Sequence, residues 1–446
     1  MNTCFQSCRA RRGTQQRLLL TALMACVIPS AAARGQATPA TPALALSDVL
    51  SAVFAAHPLL AAARAHLQAT QAARTTAGLP GNPVLSYQID YTSTGAGPVS
   101  VLEREAMTVA TIPLEPLYQR NARVRGADAR VRVAESEFAA TRQRVALEAV
   151  GAYYRVALAQ ERVAAVQDVA AWLDTLVSYN RLRVGEGVAA EADLLRTELE
   201  RDRVVADGSI DQADLVRARA ALVPFVGASR GAGTPLVASM HRPLTLKPNS
   251  ELLATATPRQ RPELDAARER VAAAQAGVAA ERANIVRQIG AVVGNKQMGG
   301  TNSLVAGLSL PLPLFDQNRG EIARATAEHE ANALELSALE RQARAELAGA
   351  QEAAQLLTDR ATQLTRSDSN GFLARADEAR RIALGAYREG GTSLLQVLDA
   401  ARLWSDSRIA FFRVLYAQHE SVLALMVAQG TDLSLAIPAL TAPSPR

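Results

Sequence analysis

Apolar residues recur at every seventh position through two long stretches of the chain: Val124, Val131, Phe138, Val145, Ala152, Ala159, Val166 and Leu173 in one, and Leu336, Ala343, Ala350, Leu357 and Leu364 in the other. A strict seven is slightly less than two α-helical turns, so these stretches are predicted to be helices that supercoil left-handedly around neighbours. No proline interrupts 117–223 or 314–437, as helix interiors require. At 1.5 Å per residue, 119–184 would be a rod of about 100 Å, a length no compact enzyme needs. Alanine at and beside the seam lets backbones approach closely and leaves little volume for a thick core.

A second pattern has period two. Leu85, Tyr87, Ile89 and Tyr91 alternate with Ser86, Gln88 and Asp90, the apolar-out, polar-in alternation of a membrane barrel strand. Weaker versions occupy 107–112, 285–293 and 304–310, with Gly-rich loops at 92–98 and 294–302 and with Pro83, Pro113, Pro116, Pro311 and Pro313 at their ends. The alternation alone fits a soluble hairpin lying on the helices equally well. Four strands cannot close a barrel, however, and hydrocarbon does not tolerate open strand edges. Hairpins in a membrane would therefore need several copies of the chain, three copies and 12 strands being the simplest closure.

The two patterns occur twice in the same order. Residues 57–64 align with 261–268, 204 positions on, and 187–195 align with 390–398, 203 positions on. Two matches with nearly equal offsets indicate a duplicated half of about 200 residues. Each half comprises a helical stretch (about 47–79 and 259–284), two short strands, and a long helical stretch that turns back once. The expected organisation is a first repeat at 47–225 with its hairpin near 83–113 and its turn near 183–195, then a connector at 226–258. The second repeat follows at 259–428, with its hairpin near 285–311 and its turn near 387–399, and a tail at 429–446 ends the chain.

Composition refines this picture. The chain of 446 residues is 49% hydrophobic but only 4% aromatic, so its apolar content is aliphatic and suited to thin seams. The net charge of +5 includes Arg9, Arg11, Arg12 and Arg17 in an acid-free leader, which leaves +1 for the remainder. No surplus of clustered cations is left to track nucleic acid. The leader itself, with its arginines, the apolar run 18–28 and the small residues Ala31, Ala32 and Ala33, reads as an export signal over 1–33 followed by a flexible segment at 34–46. Leu23-Met24-Ala25-Cys26 offers a second processing site, which would leave Cys26 as an acylated first residue. Cys4, Cys8 and Cys26 all lie in the leader, so the exported body is expected to hold no disulfide and to depend on packing and assembly. After the leader, no run of 18 uninterrupted apolar residues suggests a helical membrane protein.

Candidate chemistry is sparse. His57, His66, His241, His329 and His419 form no pair at helical metal-ligand spacing, and Met107, Met240, Met298 and Met426 form no cluster for soft cations. His57 and His66 are expected on one early helix for structural reasons. Neither a phosphate-binding Gly-Lys-Ser/Thr loop nor a nucleophile elbow occurs. No catalytic, cofactor or metal residue is therefore assigned, and any energy for transport must come from a partner.

These residues resemble the TolC-like outer-membrane efflux factors. The resemblance rests on His57 to Arg64 and the repeat at Arg261 to Arg268, on the strand exit Leu310-Pro311-Leu312-Pro313-Leu314-Phe315-Asp316-Gln317-Asn318-Arg319-Gly320-Glu321, and on Tyr387-Arg388-Glu389-Gly390 followed by 395–400. The strand-exit string is most similar to the branch serving heavy-metal cation exporters of the cobalt-zinc-cadmium and copper-silver type. The resemblance implies a mainly α protein with a small β part. Its duplicated halves, each a helix, a hairpin, a long helix and a return helix, would assemble as a homotrimer, with a 12-strand outer-membrane barrel continuous with a periplasmic helical barrel. It further implies a passive duct that joins a periplasmic adaptor and an inner-membrane resistance-nodulation-division pump in a Gram-negative bacterium, carrying metal cations or, alternatively, drugs or other organic compounds.

In that family the helix-reversal turns form the tip that meets the adaptor. Here they map to Arg183, Gly185, Gly187, Val188, Leu194 and Leu195 in the first half, and to Tyr387, Arg388, Gly390, Gly391, Thr392, Ser393, Leu395 and Leu398 in the second. The glycines suit a reversal because glycine alone adopts left-handed backbone without penalty. Glu186, Glu389 and Asp399 could line a cation-selective entrance, or be solvated helix ends. Leu85, Tyr87, Ile89 and Tyr91 would face lipid. A secreted coiled-coil scaffold without a pore is the competing reading from outside transport.

Overall fold

The computed structural model describes residues 44–94, 101–227, 242–244, 261–286, 289–365 and 371–433, with backbone alone at 92–94 and 101–102. The leader, most of the 226–258 connector and the end of the tail lie outside the described residues. The chain divides into Met1–Thr41 and Pro42–Arg446, and the following concerns the second unit.

Its elements run α1 (Leu46–Ala56), α2 (Pro58–Ala77), β1 (Val84–Thr94), β2 (Val101–Pro113), α3 (Arg120–Gly185) and α4 (Glu191–Val226), then α5 (Pro262–Ala283), β3 (Gly290–Met298), β4 (Thr301–Ser309), α6 (Arg319–Leu364), α7 (Phe372–Arg388) and α8 (Leu394–Ala428). The seven-residue seam is where α3 buries itself: Val145, Ala152, Ala159, Val166 and Leu173 are buried. On α6, Ala343, Leu347, Ala354, Ala361 and Leu364 are buried, and with half-buried Ala350 and Leu357 between them they follow the alternating four-three spacing of a supercoiled pair. A wider core gathers where α1, α3, α4 and α8 meet, around Val49, Val53, Tyr153, Leu222 and Met426, and there the Tyr153 hydroxyl donates to the Leu44 carbonyl oxygen at 3.2 Å.

Three sequence expectations require correction. The second long helix is not continuous: α6 ends at Leu364, residues 366–370 lie outside the described residues, and α7 begins after Gly371. The Ser-Asp-Ser-Asn-Gly run at 367–371 is rich in residues that favour turns. His57 and His66 do not share a helix, because His57 is the extended residue separating α1 from α2 (φ −68°, ψ 127°), where Pro58 starts the second helix. That break also divides Leu46–Ala77, a stretch otherwise long and apolar enough to cross a membrane. Finally, β3 runs from Gly290 to Met298 instead of 285–293 and β4 begins at Thr301, so all of the expected 294–302 loop but Gly299 and Gly300 is strand. The reversal needs only Gly299 and Gly300, both left-handed (φ 54° and 84°), with Met298 opposite Thr301. Such a two-residue turn matches the twist of the flanking strands.

The sheet is antiparallel throughout, in the order β1-β2-β3-β4. The two repeats join between β2 and β3, leaving β1 and β4 as edges. Register places Leu85, Ala110, Val293 and Ala306 in one row and Tyr87, Thr108, Asn295 and Leu304 in the next. Leu85, Tyr87, Leu304 and Leu308 therefore belong to one exposed face. The opposite face carries Ser86, Gln88, Asp90 and Ser303, and Lys296 there pairs with Glu105.

Candidate functional site

The sheet and the helix reversals lie at opposite ends of α3, about 100 Å apart by helix rise. Each reversal is built in the same way. At the end of α3, Val188 N–H donates to the Arg183 carbonyl oxygen (2.9 Å) and Gly187 N–H to that of Val184 (3.0 Å); at the end of α7, Gly391 N–H donates to Ala386 (2.8 Å) and Gly390 N–H to Tyr387 (3.1 Å). This six-to-one, five-to-two pairing needs one left-handed residue, supplied by Gly187 (φ 72°) and Gly390 (φ 79°). Gly185 and Gly391 have no left-handed backbone. They are therefore not required by the reversal geometry. After each turn an extended residue, Ala190 or Ser393, starts the return helix.

The two turns are held together by a buried polar chain. The Tyr387 hydroxyl donates to Asn180 Oδ1 (2.8 Å), Asn180 Nδ2 donates to Thr197 Oγ1 (2.9 Å), and Thr197 Oγ1 donates to the Asp193 carbonyl oxygen (2.8 Å). Burial raises the Tyr387 pKa above its ordinary value, which keeps the phenol a donor. The Arg183 guanidinium lies over the Tyr179 and Tyr387 rings at 5.7 and 5.3 Å, a cation-π contact between the repeats. Asn180 occupies the seam position seven after Leu173, where a polar residue fixes helix register at some cost in stability. Tyr387→Phe is expected to strand the buried Asn180 oxygen and to destabilise the hairpin pair by about 1–3 kcal/mol, read as a lower thermal midpoint in detergent; an unchanged midpoint would refute the role given to this chain of bonds.

The residues assigned to the tip on sequence divide into two groups. Val188, Leu195, Arg388, Thr392, Ser393 and Leu395 are accessible to varying degrees, with Leu195 and Leu395 53% and 58% exposed. Tyr387 and Leu398 are only 6% and 4% exposed and pack with Leu173, Leu176 and Val397, so they support the turns and offer no contact surface. Leu194 and Arg183 are intermediate. Glu186 and Glu389 are exposed helix-end residues, whereas Asp399, also exposed, lies 3.7 Å from Arg402. Leu182, Leu199, Ile382 and Leu403, on the helices that flank the turns, are also exposed; a glycine-centred motif says nothing about the outward face of those helices.

Further along α4, Glu200 joins the repeats. Arg402 of α8 grips its carboxylate with two hydrogen bonds (2.8 and 2.6 Å), and Arg203 adds two more (2.7 and 3.4 Å). The Arg402 hydrogen bond is the main reason that the Glu200 pKa is held down at about 2. The cluster lines a groove of about 600 Å³ between α3, α4 and α8.

Compared with known proteins, the chain matches the family model described as outer membrane efflux protein at residues 49–228 and 255–431. The cobalt-zinc-cadmium resistance protein CzcC of Cupriavidus metallidurans is 25% identical over 391 residues, covering 86% of this chain and 89% of that protein. Among solved structures, a membrane protein from Pseudomonas aeruginosa superposes with a TM-score of 0.72 at 21% identity, over 86% of this chain and 93% of that one. The outer membrane protein VceC from Vibrio cholerae does so with a TM-score of 0.70 at 20% identity, over 86% and 96%.

Proposed function

The chain belongs to the outer membrane efflux protein family, and from that membership we propose that three copies form one duct through the outer membrane, open at the barrel and met at the helical turns by a periplasmic adaptor and an inner-membrane pump of the resistance-nodulation-division type. The observation that carries the proposal is the four-strand sheet with two unpaired edges and one exposed face that gathers Leu85, Tyr87, Ile89, Tyr91, Leu304 and Leu308 among a few polar residues: hydrocarbon requires every backbone group to be bonded, and only closure with further copies does that. Export through such a duct is passive and the pump supplies the energy. Leu85, Tyr87, Ile89 and Tyr91 face lipid in this arrangement. The docking surface comprises Val188, Leu195 and Leu395, flanked by Arg388, Thr392 and Ser393 and shaped by Gly187 and Gly390. Glu186 and Glu389 at the exposed helix ends give the inner mouth negative charge.

Heavy-metal cations are the proposed cargo. Support comes from the strand-exit string at 310–321 and from likeness to a cobalt-zinc-cadmium resistance protein. A deletion strain is expected to lose growth on zinc, cobalt, cadmium or copper while keeping its tolerance of organic toxicants. Loss confined to organic compounds would replace this cargo with drugs or other organic molecules.

A further inference from the structure

Past its last paired residue, β4 continues into Leu310-Pro311-Leu312-Pro313, and Leu310 and Leu312 are 53% and 66% exposed. We propose that this strap is the inward extension of β4, and that its backbone pairs with the free edge of β1 in a second copy of the chain. The proposal rests on the three-copy reading above and specifies where the seam between copies ends.

The hydrogen-bond register carries it. Leu114 N–H donates to the Ile289 carbonyl oxygen at 2.7 Å, in the same register as Pro113 opposite Gly290. Backbone groups in an antiparallel ladder point alternately to the two neighbours. Odd-numbered residues of β3 thus bond to β2 and even-numbered ones to β4, so Gly290 bonds to Ser309 and Val292 to Gly307. The two-residue turn at Gly299 and Gly300 gives the same parity, because the residues flanking such a turn, Met298 and Thr301, form a hydrogen-bonded pair. On β4 and beyond, odd-numbered residues therefore face β3 and even-numbered ones face the open edge. By the same count, Leu85, Tyr87, Ile89 and Tyr91 turn their backbone groups to the open edge of β1.

Pro311 and Pro313 fall in the odd-numbered set. Their missing N–H groups would point towards β3, whose ladder with β4 ends at Gly290 opposite Ser309. The donors of Leu310 and Leu312, directed to the open edge, are kept. Each of these leucines precedes a proline and is thereby biased to extended backbone. Leu314 N–H turns back to the Leu312 carbonyl oxygen at 2.8 Å and ends the strap. The side chains of Leu310 and Leu312 continue the lipid-facing file of Leu304 and Leu308. Closure also leaves a place for the extension: β1 has 11 residues and β4 has 9, and barrel strands are tilted and staggered. Two further residues would match β4 to the length of β1, and the stagger between copies places the remainder of 310–313 beyond the last residue that β4 pairs with β3.

Leu312→Cys, combined in turn with Leu85→Cys, Tyr87→Cys and Ile89→Cys, tests the pairing, since hydrogen-bonded residues across an antiparallel seam have Cα atoms about 5.5 Å apart, within disulfide reach. Oxidation of at least one pair should give reducible covalent trimers that each single cysteine variant fails to give. Absence of cross-linking in all three pairs, with the unsubstituted chain sizing as a trimer, would overturn the strap pairing alone and assign the strap to lipid. An unsubstituted chain that sizes as a monomer would overturn the three-copy reading together with it. Leu312→Pro should lower the temperature at which trimers dissociate, relative to Leu312→Ala, whereas Pro311→Ala should not; equal temperatures for all three variants would contradict the assignment of donors.

Discussion

A chain carrying Leu195→Glu together with Leu395→Glu should reach the outer membrane as intact trimers and yet leave cells as sensitive to the exported toxicant as a deletion. Both leucines are more than half exposed, just after the two helix reversals, so the substitutions disturb no packed core within the chain. Buried charge without a partner is costly, and apolar anchors near the centre of an interface carry much of its binding energy, each costing about 2–4 kcal/mol when removed. Two anchors in each of three copies would lower adaptor affinity by several orders of magnitude. Gly187→Glu should act alongside them, because it forces a side chain into backbone of φ 72°. Cellular resistance is measured with trimer integrity checked in the same membranes; unchanged resistance would refute docking at this surface, and lost trimers would show that the leucines belong to an interface between copies.

Arg402→Ala should be the most destabilising single change near the turns. It removes two of the four hydrogen bonds that compensate a carboxylate only 7% exposed. Breaking a fully buried ion pair from one side costs about 3–5 kcal/mol; because Arg402 is itself 45% exposed and both bonds from Arg203 are retained, the loss should not exceed the lower end, about 3 kcal/mol. Replacing both partners, Glu200→Met with Arg402→Leu, should recover most of the loss, because no buried charge is then left alone. The pair also sets an acid limit. The folded-state pKa of Glu200, about 2, is below its ordinary 4.5, so its contribution is complete above the unfolded carboxylate range and is lost as pH falls from about 4.5 to about 2. Thermal midpoints of the trimer across that window should fall more steeply for the natural chain than for the Glu200→Met, Arg402→Leu double variant. Parallel slopes would show that the pair does not set acid sensitivity.

The sequence made the architecture legible because its periods are long and repeated. The seam from Val145 to Leu173 is buried where the seven-residue period puts it, and the alternation at Leu85 to Tyr91 forms one face of a strand. The two glycines that make the reversals possible, Gly187 and Gly390, were readable from duplication, because internal alignment brings them into correspondence. Boundaries were less legible. Strand β3 was misplaced by several residues because Gly294 and Gly299 are equally good loop residues in isolation, and only pairing with β2 makes one a strand residue and the other a turn. The buried tip network was missed for a different reason. Asn180 carried a signal, as a polar residue in an apolar seam, but its partners lie 17 and 207 positions away, and no local pattern joins them. Glu200 and Arg402 were hidden in the same way among many charged residues on helix faces.

Measuring the mass and conductance of the detergent-extracted particle tests the central claim most directly. The chain should purify from outer membranes as a particle of three copies that conducts ions when inserted into a planar bilayer. A stable single copy that stays soluble without detergent and carries no current would contradict the duct.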